Sequence, residues 1–525
     1  MVYANNTKDV VHAVQCAWEF GYSVSAAGGR HSFQGWSVVS GSLTIDMSNL
    51  CPPPVVKGST MTAVVGAGCT NAVLLHAVSQ SGIPDAMSVI GYCPSVGMAG
   101  YVLGGGMGDI TPYVGLACDQ VLELEIVLWN GTVVRASKKS HQDLFWASCG
   151  GGPGFGVITE MVIKVHKAPD PGHYSVINLI YPVDATPEVM NRYEKFINSG
   201  KQEVRKYGGN TLTLPKQSPV YVLSFVFLGS WTQGLKGLAN AGLLDPKLLA
   251  EVPADIKVNY STVQPPIKTS NFTLNITYGY QVREFSTFGE MEAAVICNFL
   301  KLPFFMGLTC ENLGMDNCTG PVNCDSKQTL DAVIREGGNR FSPLNVGSSS
   351  IYKNQSSNVE VVNSGLGGIL ITGMPKSAWS QLTELYKSAI RNENLKDCAI
   401  FFGIFHTSQG AVADVKPNQT AYPWRNQSLL FTYGIFTPAV SPGVAPVCQR
   451  EWVSKITDVL VQYFGPGVDN LKGYYNFMGM LHTDWEQFYF GDNYPRLQRI
   501  KACYDPLDVF GKPFTVAANS TCSAA

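Results

Sequence analysis

Apolar residues recur at helical spacing in two stretches of the first eighty residues. The first stretch predicts a helix over 9–20, with Thr7 or Asn6 as its N-cap. The second predicts an apolar helix over 72–79, which Asn71 would cap.

Short apolar runs bounded by turn residues predict strands between and after these helices. The strands of this region are expected over 22–25, 42–47, 62–66, 121–128, 132–135 and 157–165. Asn130-Gly131 separates two of them and indicates a two-residue hairpin. About 170 residues are therefore predicted to form a mixed α+β unit.

The composition changes at 169–172, which reads Pro-Asp-Pro-Gly and is the candidate domain boundary. Beyond it, strands are predicted over 221–228, 274–282, 399–406 and 429–436, and helices over 378–391 and 450–464. This order predicts a second domain with one large antiparallel sheet covered by helices.

Length and charge restrict the class of protein. A chain of 525 residues with 45% hydrophobic and 14% charged residues is typical of a large globular enzyme of two or more domains. A net charge of −2 gives no electrostatic reason to bind nucleic acid or an anionic membrane. No uninterrupted apolar run of membrane-spanning length occurs, and no signal-peptide pattern opens the chain.

Cysteine usage and glycosylation sequons favour secretion. The fourteen cysteines include the cluster Cys310, Cys318 and Cys324, and none has zinc-ribbon spacing, so disulfides are expected. Without Cys93 the number of cysteines is odd, which predicts a partner cysteine upstream of Met1. Ten N-x-[ST] sequons lie at Asn5, Asn130, Asn259, Asn271, Asn275, Asn317, Asn354, Asn418, Asn426 and Asn519.

The most informative stretch runs from Gly91 to Gly108, where seven of eighteen residues are glycine. Glycines at this density let the backbone approach a ligand closely and expose N–H groups that bind anions. The stretch is not a dinucleotide fingerprint, because its spacing differs and Pro112 interrupts the helix that should follow. It predicts the wall of a cofactor site.

Two side chains near glycines are candidates for cofactor attachment. His31 follows Gly28 and Gly29 in a loop after a predicted strand, and it is either a surface residue or a cofactor-binding one. Cys93, taken alone, is either a buried thiol or half of a disulfide.

Taken together, five motifs resemble the berberine bridge enzyme-like oxidases of the vanillyl-alcohol oxidase and p-cresol methylhydroxylase superfamily. The motifs are the GG-x-H-S-F loop ending after His31, the 91–108 run, the YVGLACD segment at 113–119, the 143–156 stretch, and the tail at 475–506. They follow in the family's order over nearly the whole chain.

The resemblance implies an α+β fold with a p-cresol methylhydroxylase-type FAD-binding domain that is split in sequence. Residues 1–170 would form its first part, 171–470 the substrate domain with the large antiparallel sheet, and 471–525 a segment that returns to the FAD domain. The chain would begin inside the family's first helix.

The resemblance also implies the site. FAD would be tethered covalently, through its 8α-methyl to His31 and through C6 to Cys93, and Val96 would admit oxygen beside the flavin unless it is an ordinary packing residue. The further cofactor-binding residues would be Gly28, Gly29, Arg30, Ser32, Gly97, Gly100, Tyr101, Gly104, Gly105, Gly106, Gly108, Val157 and Asn476. No metal is expected.

Three residues depart from the family pattern. Arg30 replaces a glycine and would place a charge beside His31, and Tyr101 stands where plant members have a histidine. Phe477 occupies the position of the catalytic tyrosine and cannot accept a proton. The base would then be Tyr474, Tyr475 or a carboxylate of the central domain.

By resemblance, we expect a secreted, glycosylated, monomeric FAD oxidase that oxidises a sugar or oligosaccharide at C1 and reduces molecular oxygen to hydrogen peroxide. Two alternatives remain at this stage. One is an oxidase or cyclase of alkaloids, terpenoids or polyketides, and the other is a flavin-binding protein with little catalysis.

Overall fold

The computed structural model describes residues 1–32, 34–213, 220–244, 279–300, 322, 324, 327–336, 367–392, 399–406, 409–427, 429–436, 451–452, 454–465, 471–478, 484–519 and 522. The α-helices of this part are Thr7–Glu19, Asn71–Ser79, Met98–Leu103, Thr111–Val114, Gln142–Ala147, Thr186–Ile197, Trp231–Asn240, Phe288–Leu300, Lys327–Glu336, Lys376–Arg391, Ser454–Phe464, Trp485–Phe490 and Tyr494–Tyr504.

The predicted first helix is confirmed and begins two residues earlier than its pattern indicated. Asn6 is the N-cap, and its side chain accepts a hydrogen bond from the backbone N–H of Asp9. The prediction that Asn71 caps the second helix is wrong, because Thr70 holds the cap position and Asn71 is the first helical residue. The Asn71 amide instead donates to the carbonyl of Cys93.

Two sheets lie in the N-terminal part. The first is parallel, with the strands Val2–Tyr3, Leu43–Asp46 and Val24–Ala27. The second is antiparallel, with the strands Val55–Lys57, Thr62–Gly66, Val157–Lys164, Val121–Val127 and Val133–Ser137 in spatial order. A small ribbon pairs Ala86–Met87 with His166–Lys167.

The predicted hairpin is confirmed, but its two-residue turn is wrong, because Leu128 pairs with Thr132 and three residues lie between them. Val121–Val127 pairs antiparallel with Val133–Ser137, and Gly131 has a φ of +82° in the turn between them. The strand expected over 22–25 lies at Val24–Ala27, because its parallel pairing with Leu43–Asp46 fixes its position.

The middle of the chain contains antiparallel sheets and helices, as the sequence predicted. One sheet has the order Tyr207–Gly208, Val220–Phe227, Tyr174–Pro182, Gly279–Phe285, and the other Asn210–Thr213, Ala399–His406, Leu429–Phe436, Gly367–Ile371, Lys472–Gly473.

The segment 207–213 contributes to both sheets, and Gly209, with a φ of +117°, redirects it from one to the other. The sheet expected as one is therefore hydrogen-bonded in two parts. Residues 274–278 of a predicted strand and Arg450 of a predicted helix lie outside the described residues.

The C-terminal segment packs against the N-terminal part. Lys501, fully buried, donates from Nζ to the carbonyl of Gly154 at 2.8 Å and pairs with Asp505 at 2.6 Å. Lys512 donates to the carbonyl of Val24. The bonds to Gly154 and Val24 join residues that are more than 300 positions apart in sequence.

Disulfides join Cys51 to Cys69, Cys118 to Cys149, Cys297 to Cys324, and Cys503 to Cys522. The expectation of disulfides is thus confirmed, and Cys324 forms one of them, whereas Cys310 and Cys318 lie outside the described residues. Within the described part, Cys16 and Cys93 are free thiols. None of the helices described has the length and apolar character that a bilayer crossing requires.

Candidate cofactor and active site

The loop that carries Cys93 is held by the start of the helix Asn71–Ser79. The backbone N–H of Asn71 donates to the carbonyl of Val96, and that of Ala72 donates to the carbonyl of Pro94, both at 3.0 Å. The first N–H groups of a helix have no partner inside it, so these two are available to fix the loop. The Cys93–Val96 turn is therefore positioned by backbone bonds.

Gly29 and Gly97 bring the histidine loop against this turn. A Cβ on Gly29 would lie 2.1 Å from the backbone N of Gly97 and 2.5 Å from the carbonyl O of Ser95. A Cβ on Gly97 would lie 2.4 Å from the backbone N of Gly29. Because any side chain here would overlap backbone, only glycine at both positions permits the approach.

This approach places His31 and Cys93 around one hydroxyl group. His31 Nε2 lies 2.8 Å from Ser95 Oγ, and Cys93 Sγ lies 3.6 Å from the same oxygen. Ser95 is only 1% exposed. The two residues predicted to tether the cofactor are thus adjacent in space, although sixty-two positions separate them in sequence.

The surroundings keep both nucleophiles uncharged at neutral pH. Part of the His31 surface is open, yet the protein packed around the ring disfavours its charged form and lowers its pKa to about 4. Burial raises the pKa of the Cys93 thiol. Hydrogen bonds from the Ser95 hydroxyl and from the backbone N–H groups of Ser95 and Val96 oppose that rise.

Arg30 does not leave an unbalanced charge beside His31. It adopts a φ of +56°, and its guanidinium pairs with the carboxylate of Asp46, which is fully buried. Asp46 also accepts from the backbone N–H of Ser48. The expected local charge is therefore compensated within the loop region.

The histidine loop also contacts the C-terminal segment. Trp36 donates from Nε1 to the carbonyl of Pro513, and its ring stacks on that of Tyr475 with centroids 5.2 Å apart. Gln34 donates to the carbonyl of Met478. The two ends of the chain thus build one region.

The structure distinguishes the two candidate tyrosines. The Tyr475 hydroxyl donates to the carbonyl of Phe514 at 3.0 Å, which favours a packing role. The Tyr474 oxygen accepts from the backbone N–H of Gly106 at 3.2 Å and from the Asn476 amide at 3.0 Å. Burial still raises the pKa of Tyr474 to about 12, although these two donors lower it.

Buried acids that the sequence pattern did not single out lie near Tyr101. Asp109 accepts a hydrogen bond from the Tyr92 hydroxyl at 2.6 Å, and Glu292, from the middle of the chain, interacts electrostatically with Asp109 and Tyr101. Burial raises the pKa of both carboxyl groups. No periodicity marks them, because their proximity arises only in the fold.

Several of the predicted glycines pack against protein. A Cβ on Gly104 would lie 2.0 Å from Asn476 Oδ1, one on Gly106 2.5 Å from the Ala117 Cβ, and one on Gly108 1.8 Å from the Ile90 carbonyl. A Cβ on Gly100 would meet nothing within 4 Å. Gly100 is therefore the glycine of this run that borders open space, while the others bring chain segments together.

The remaining predicted residues have ordinary surroundings. Ser32 accepts from the backbone N–H of Trp36, and Val96 is half-buried. Val157 is buried and pairs with Val127 in the sheet. A Cβ on Gly28 would make van der Waals contact with the Ala67 carbonyl, and one on Gly105, which has a φ of +113°, would approach the Tyr422 ring.

One group in the described part of the chain, Cys118, Asp119 and Cys149, is close enough to bind a metal ion. Its two cysteines form a disulfide, and Asp119 receives two hydrogen bonds from buried Arg425. This group is therefore structural.

The residues present fit an FAD cofactor. A neutral imidazole and a thiol that receives backbone N–H donors lie together, and these are two groups that can each form a covalent bond to a cofactor. His31 and Cys93 would hold the isoalloxazine.

Comparison with known families agrees with this fit. Residues 1–137 match the model of an FAD binding domain, and residues 473–515 match the model described as berberine and berberine like. An uncharacterized FAD-linked oxidoreductase of Bacillus subtilis is 32% identical over 263 residues, 49% of this chain. The chain spans 56% of that relative, about half of its length.

Two further similarities cover nearly the whole chain. Glucooligosaccharide oxidase of Sarocladium strictum is 25% identical over 97% of this chain and 85% of its own. The solved structure of glucooligosaccharide oxidase from Acremonium strictum, with a 6-S-cysteinyl, 8α-N1-histidyl FAD, has a TM-score of 0.69 and 18% identity over 99% of this chain and 91% of its own. The structural likeness establishes the α+β fold, and the two domain matches identify an FAD binding domain and a berberine-like domain in this chain.

Proposed function

We propose that the protein is an FAD-dependent oxidase that oxidises a CH–OH group of a sugar or oligosaccharide. The observation that carries the proposal is the meeting of His31 and Cys93 at Ser95, within a chain that has both family domains. FAD would be bound covalently through these two residues. When bound, FAD supplies the acceptor for the substrate hydride and returns the electrons to molecular oxygen, forming hydrogen peroxide.

Tyr474 is the group that we propose to take the substrate hydroxyl proton. Its oxygen accepts two N–H donors, which lower the pKa of Tyr474 against the larger rise that burial causes. Tyr475 would serve packing, because its hydroxyl is already committed to a backbone carbonyl. Phe477, whose ring lies 5.5 Å from that of Tyr474, would provide an apolar wall.

Val96 would control oxygen access. It is half-buried, three residues after Cys93, and its backbone carbonyl accepts a hydrogen bond from the N–H of Asn71. Replacing Val96 with leucine should slow reoxidation by oxygen and leave reduction of a dye acceptor unchanged. Equal rates with oxygen in both proteins would remove Val96 from this role.

The proposed substrate class rests on similarity to glucooligosaccharide oxidase over nearly the whole chain. Residues 171–470 would form the substrate domain, while 471–525 would complete the FAD domain begun by 1–170. The contacts of Lys501 with Gly154 and of Trp36 with Pro513 support that division.

We also propose secretion as a glycoprotein. The sequon asparagines within the described residues are all exposed, namely Asn5, Asn130, Asn418, Asn426 and Asn519. Exposure is required for glycan attachment, and four disulfides suit an oxidising compartment. Treatment of the secreted protein with a glycosidase specific for N-glycans should lower its mass, and an unchanged mass would contradict the proposal.

Anaerobic reduction with a panel of mono- and oligosaccharides tests the proposed activity. We expect the flavin absorbance to bleach with at least one sugar, and admission of air to restore it with formation of peroxide. Bleaching by an aromatic alcohol and by no sugar would contradict the substrate class. Tyr475→Phe serves as a matched control and should retain activity, whereas Tyr474→Phe should not.

A further inference from the structure

Ser95 lies at the centre of the proposed attachment site and has not been assigned a role. Its Oγ is the atom that contacts both His31 Nε2, at 2.8 Å, and Cys93 Sγ, at 3.6 Å. It is 1% exposed, so bulk water cannot replace its hydroxyl. The approach of Gly29 to the Ser95 carbonyl fixes its backbone.

We propose that Ser95 is a positioning residue that prepares His31 and Cys93 together for covalent attachment of the flavin. This inference rests on the proposed function, because it assumes that both residues form bonds to FAD. The new element is that the Ser95 hydroxyl, in a single orientation, positions both His31 and Cys93 for their bonds to FAD.

The direction of the hydrogen bond between His31 and Ser95 determines which ring nitrogen can react. A neutral imidazole carries its proton on one nitrogen and a lone pair on the other. When Ser95 Oγ accepts a hydrogen bond from Nε2–H, the lone pair lies on Nδ1, and Nδ1 becomes the nucleophile. In that arrangement the histidyl bond forms at Nδ1.

The contact to Cys93 uses the other end of the same hydroxyl. With its oxygen accepting from His31, the Ser95 O–H is free to donate to the Cys93 sulfur. The backbone N–H groups of Ser95 and Val96 donate to that sulfur as well. Three donors favour the thiolate, which is the reactive form of cysteine, at a site where burial opposes it.

Each attachment balances with molecular oxygen as the oxidant. One flavin C–H bond and one N–H or S–H bond are lost, and one C–N or C–S bond forms. The two hydrogens, as two protons and two electrons, reduce one oxygen molecule to hydrogen peroxide. Oxygen is also the acceptor in the proposed function, so no further reactant is required.

Serine variants of the full chain test the inference. Protein produced under riboflavin limitation would be incubated with FAD in air, and attachment at His31 and at Cys93 would be followed by mass spectrometry of peptides. We expect Ser95→Ala to slow formation of both covalent bonds by about tenfold or more, since His31 and Cys93 each lose a buried hydrogen-bond partner. Ser95→Thr keeps the hydroxyl and should remain within about threefold of the wild type.

Ser88→Ala is the matched control, because Ser88 is equally buried and its hydroxyl has no hydrogen-bond partner in the described structure. It should attach FAD at the wild-type rate. Valine and threonine have nearly the same shape, but only threonine carries a hydroxyl group. If Ser95→Ala fails to fold, the attachment rates of Ser95→Val and Ser95→Thr are compared instead.

The histidyl bond can form at Nδ1 or at Nε2 of His31. Which of these isomers forms would not change if Ser95 served only to stabilise the fold. Hydrolysis of the wild-type protein should release only the Nδ1-linked flavin, and Ser95→Val should release Nε2-linked flavin as well. Attachment at wild-type rates in Ser95→Ala would overturn the proposed role of Ser95. Slower attachment at only one of His31 and Cys93 would overturn the proposal that Ser95 serves both. Wild-type protein without covalent flavin would overturn both this inference and the proposed tether.

Discussion

His31 shows how a side chain can be open to a ligand and yet remain uncharged. Its pKa is lowered to about 4, because the atoms packed around the loop disfavour the imidazolium form. A neutral imidazole retains a lone pair, which attack on a flavin carbon requires. The glycines beside His31 therefore affect its chemistry by permitting the close packing.

We predict that His31 stays neutral in the folded protein down to about pH 5. The unfolded state has the higher pKa, so it binds more protons between pH 4 and 6.5. The contribution of His31 to stability is therefore present above pH 6.5 and is lost as the pH falls toward 4. Titration of flavin-free protein by histidine-selective NMR checks this, and a pKa of 6 or higher for His31 would contradict it.

A second prediction concerns the hydrogen bonds to Tyr474. Asn476→Ala removes one of two donors to the phenolic oxygen and should raise the Tyr474 pKa further. If Tyr474 is the base, flavin reduction by substrate at neutral pH should slow by about tenfold, and Tyr474→Phe should slow it by about 10²-fold or more.

Anaerobic stopped-flow measurement of the flavin spectrum gives these rates. Tyr475→Phe removes a hydroxyl that donates to the Phe514 carbonyl. This variant should leave the rate of flavin reduction and its pH profile unchanged. A wild-type rate in Tyr474→Phe would exclude this tyrosine and direct attention to the buried carboxyl group of Glu292.

At the scale of elements, the site depends on the close approach of two loops that a helix start supports. The N–H groups of Asn71 and Ala72 fix the Cys93–Val96 turn from one side. Gly29 and Gly97 allow the histidine loop to approach it from the other side. The distance between the two nucleophiles is thus set by backbone rather than by side chains.

Gly29→Ala should prevent this approach, because its Cβ would lie 2.1 Å from the backbone N of Gly97. We expect a loss of about 2 kcal/mol or more in the free energy of unfolding and a marked loss of covalent flavin. Gly100→Ala, at a position with nothing within 4 Å, should be as stable as the wild type in the same urea titration. Equal stability of the two variants would contradict the close approach.

At the scale of the whole molecule, Lys501 of the last helix pairs with Asp505 and also donates to the carbonyl of Gly154 in the N-terminal part. Lys501 and Asp505 are fully buried, and Asp505 also accepts from the backbone N–H groups of Val509 and Phe510. Removing the lysine would leave a carboxylate without its partner in a region of low dielectric constant.

Lys501→Ala is therefore expected to destabilise the protein by about 3–5 kcal/mol. Lys455→Ala breaks an ion pair with Glu451 of the same i, i+4 spacing on the surface and should cost less than about 1 kcal/mol. Urea unfolding followed by fluorescence compares the two variants. A similar loss in the free energy of unfolding in both variants would show that burial does not determine how much the Lys501 ion pair stabilises the protein.

Patterns of local origin were predictable at the element scale. The strands at 62–66, 399–406 and 429–436 have the bounds that alternation and apolar runs indicated, and the turn at Gly131 follows from its Asn-Gly pair. The cap at Asn71 was not predictable, because a tertiary contact with Cys93 competes for its side chain. Local preference fails where a distant partner offers a stronger interaction.

The sequence by itself determined the α+β class, the family motifs and the identity of His31 and Cys93 as the candidate attachment residues, because residue type and spacing along the chain carry that information. Only the tertiary structure decided that these residues meet at Ser95, that Tyr474 rather than Tyr475 has an oxygen facing two donors, and that most glycines of the 91–108 run pack against protein. These features depend on distances between segments far apart in sequence, and such distances are fixed only when the core and the backbone hydrogen bonds are complete.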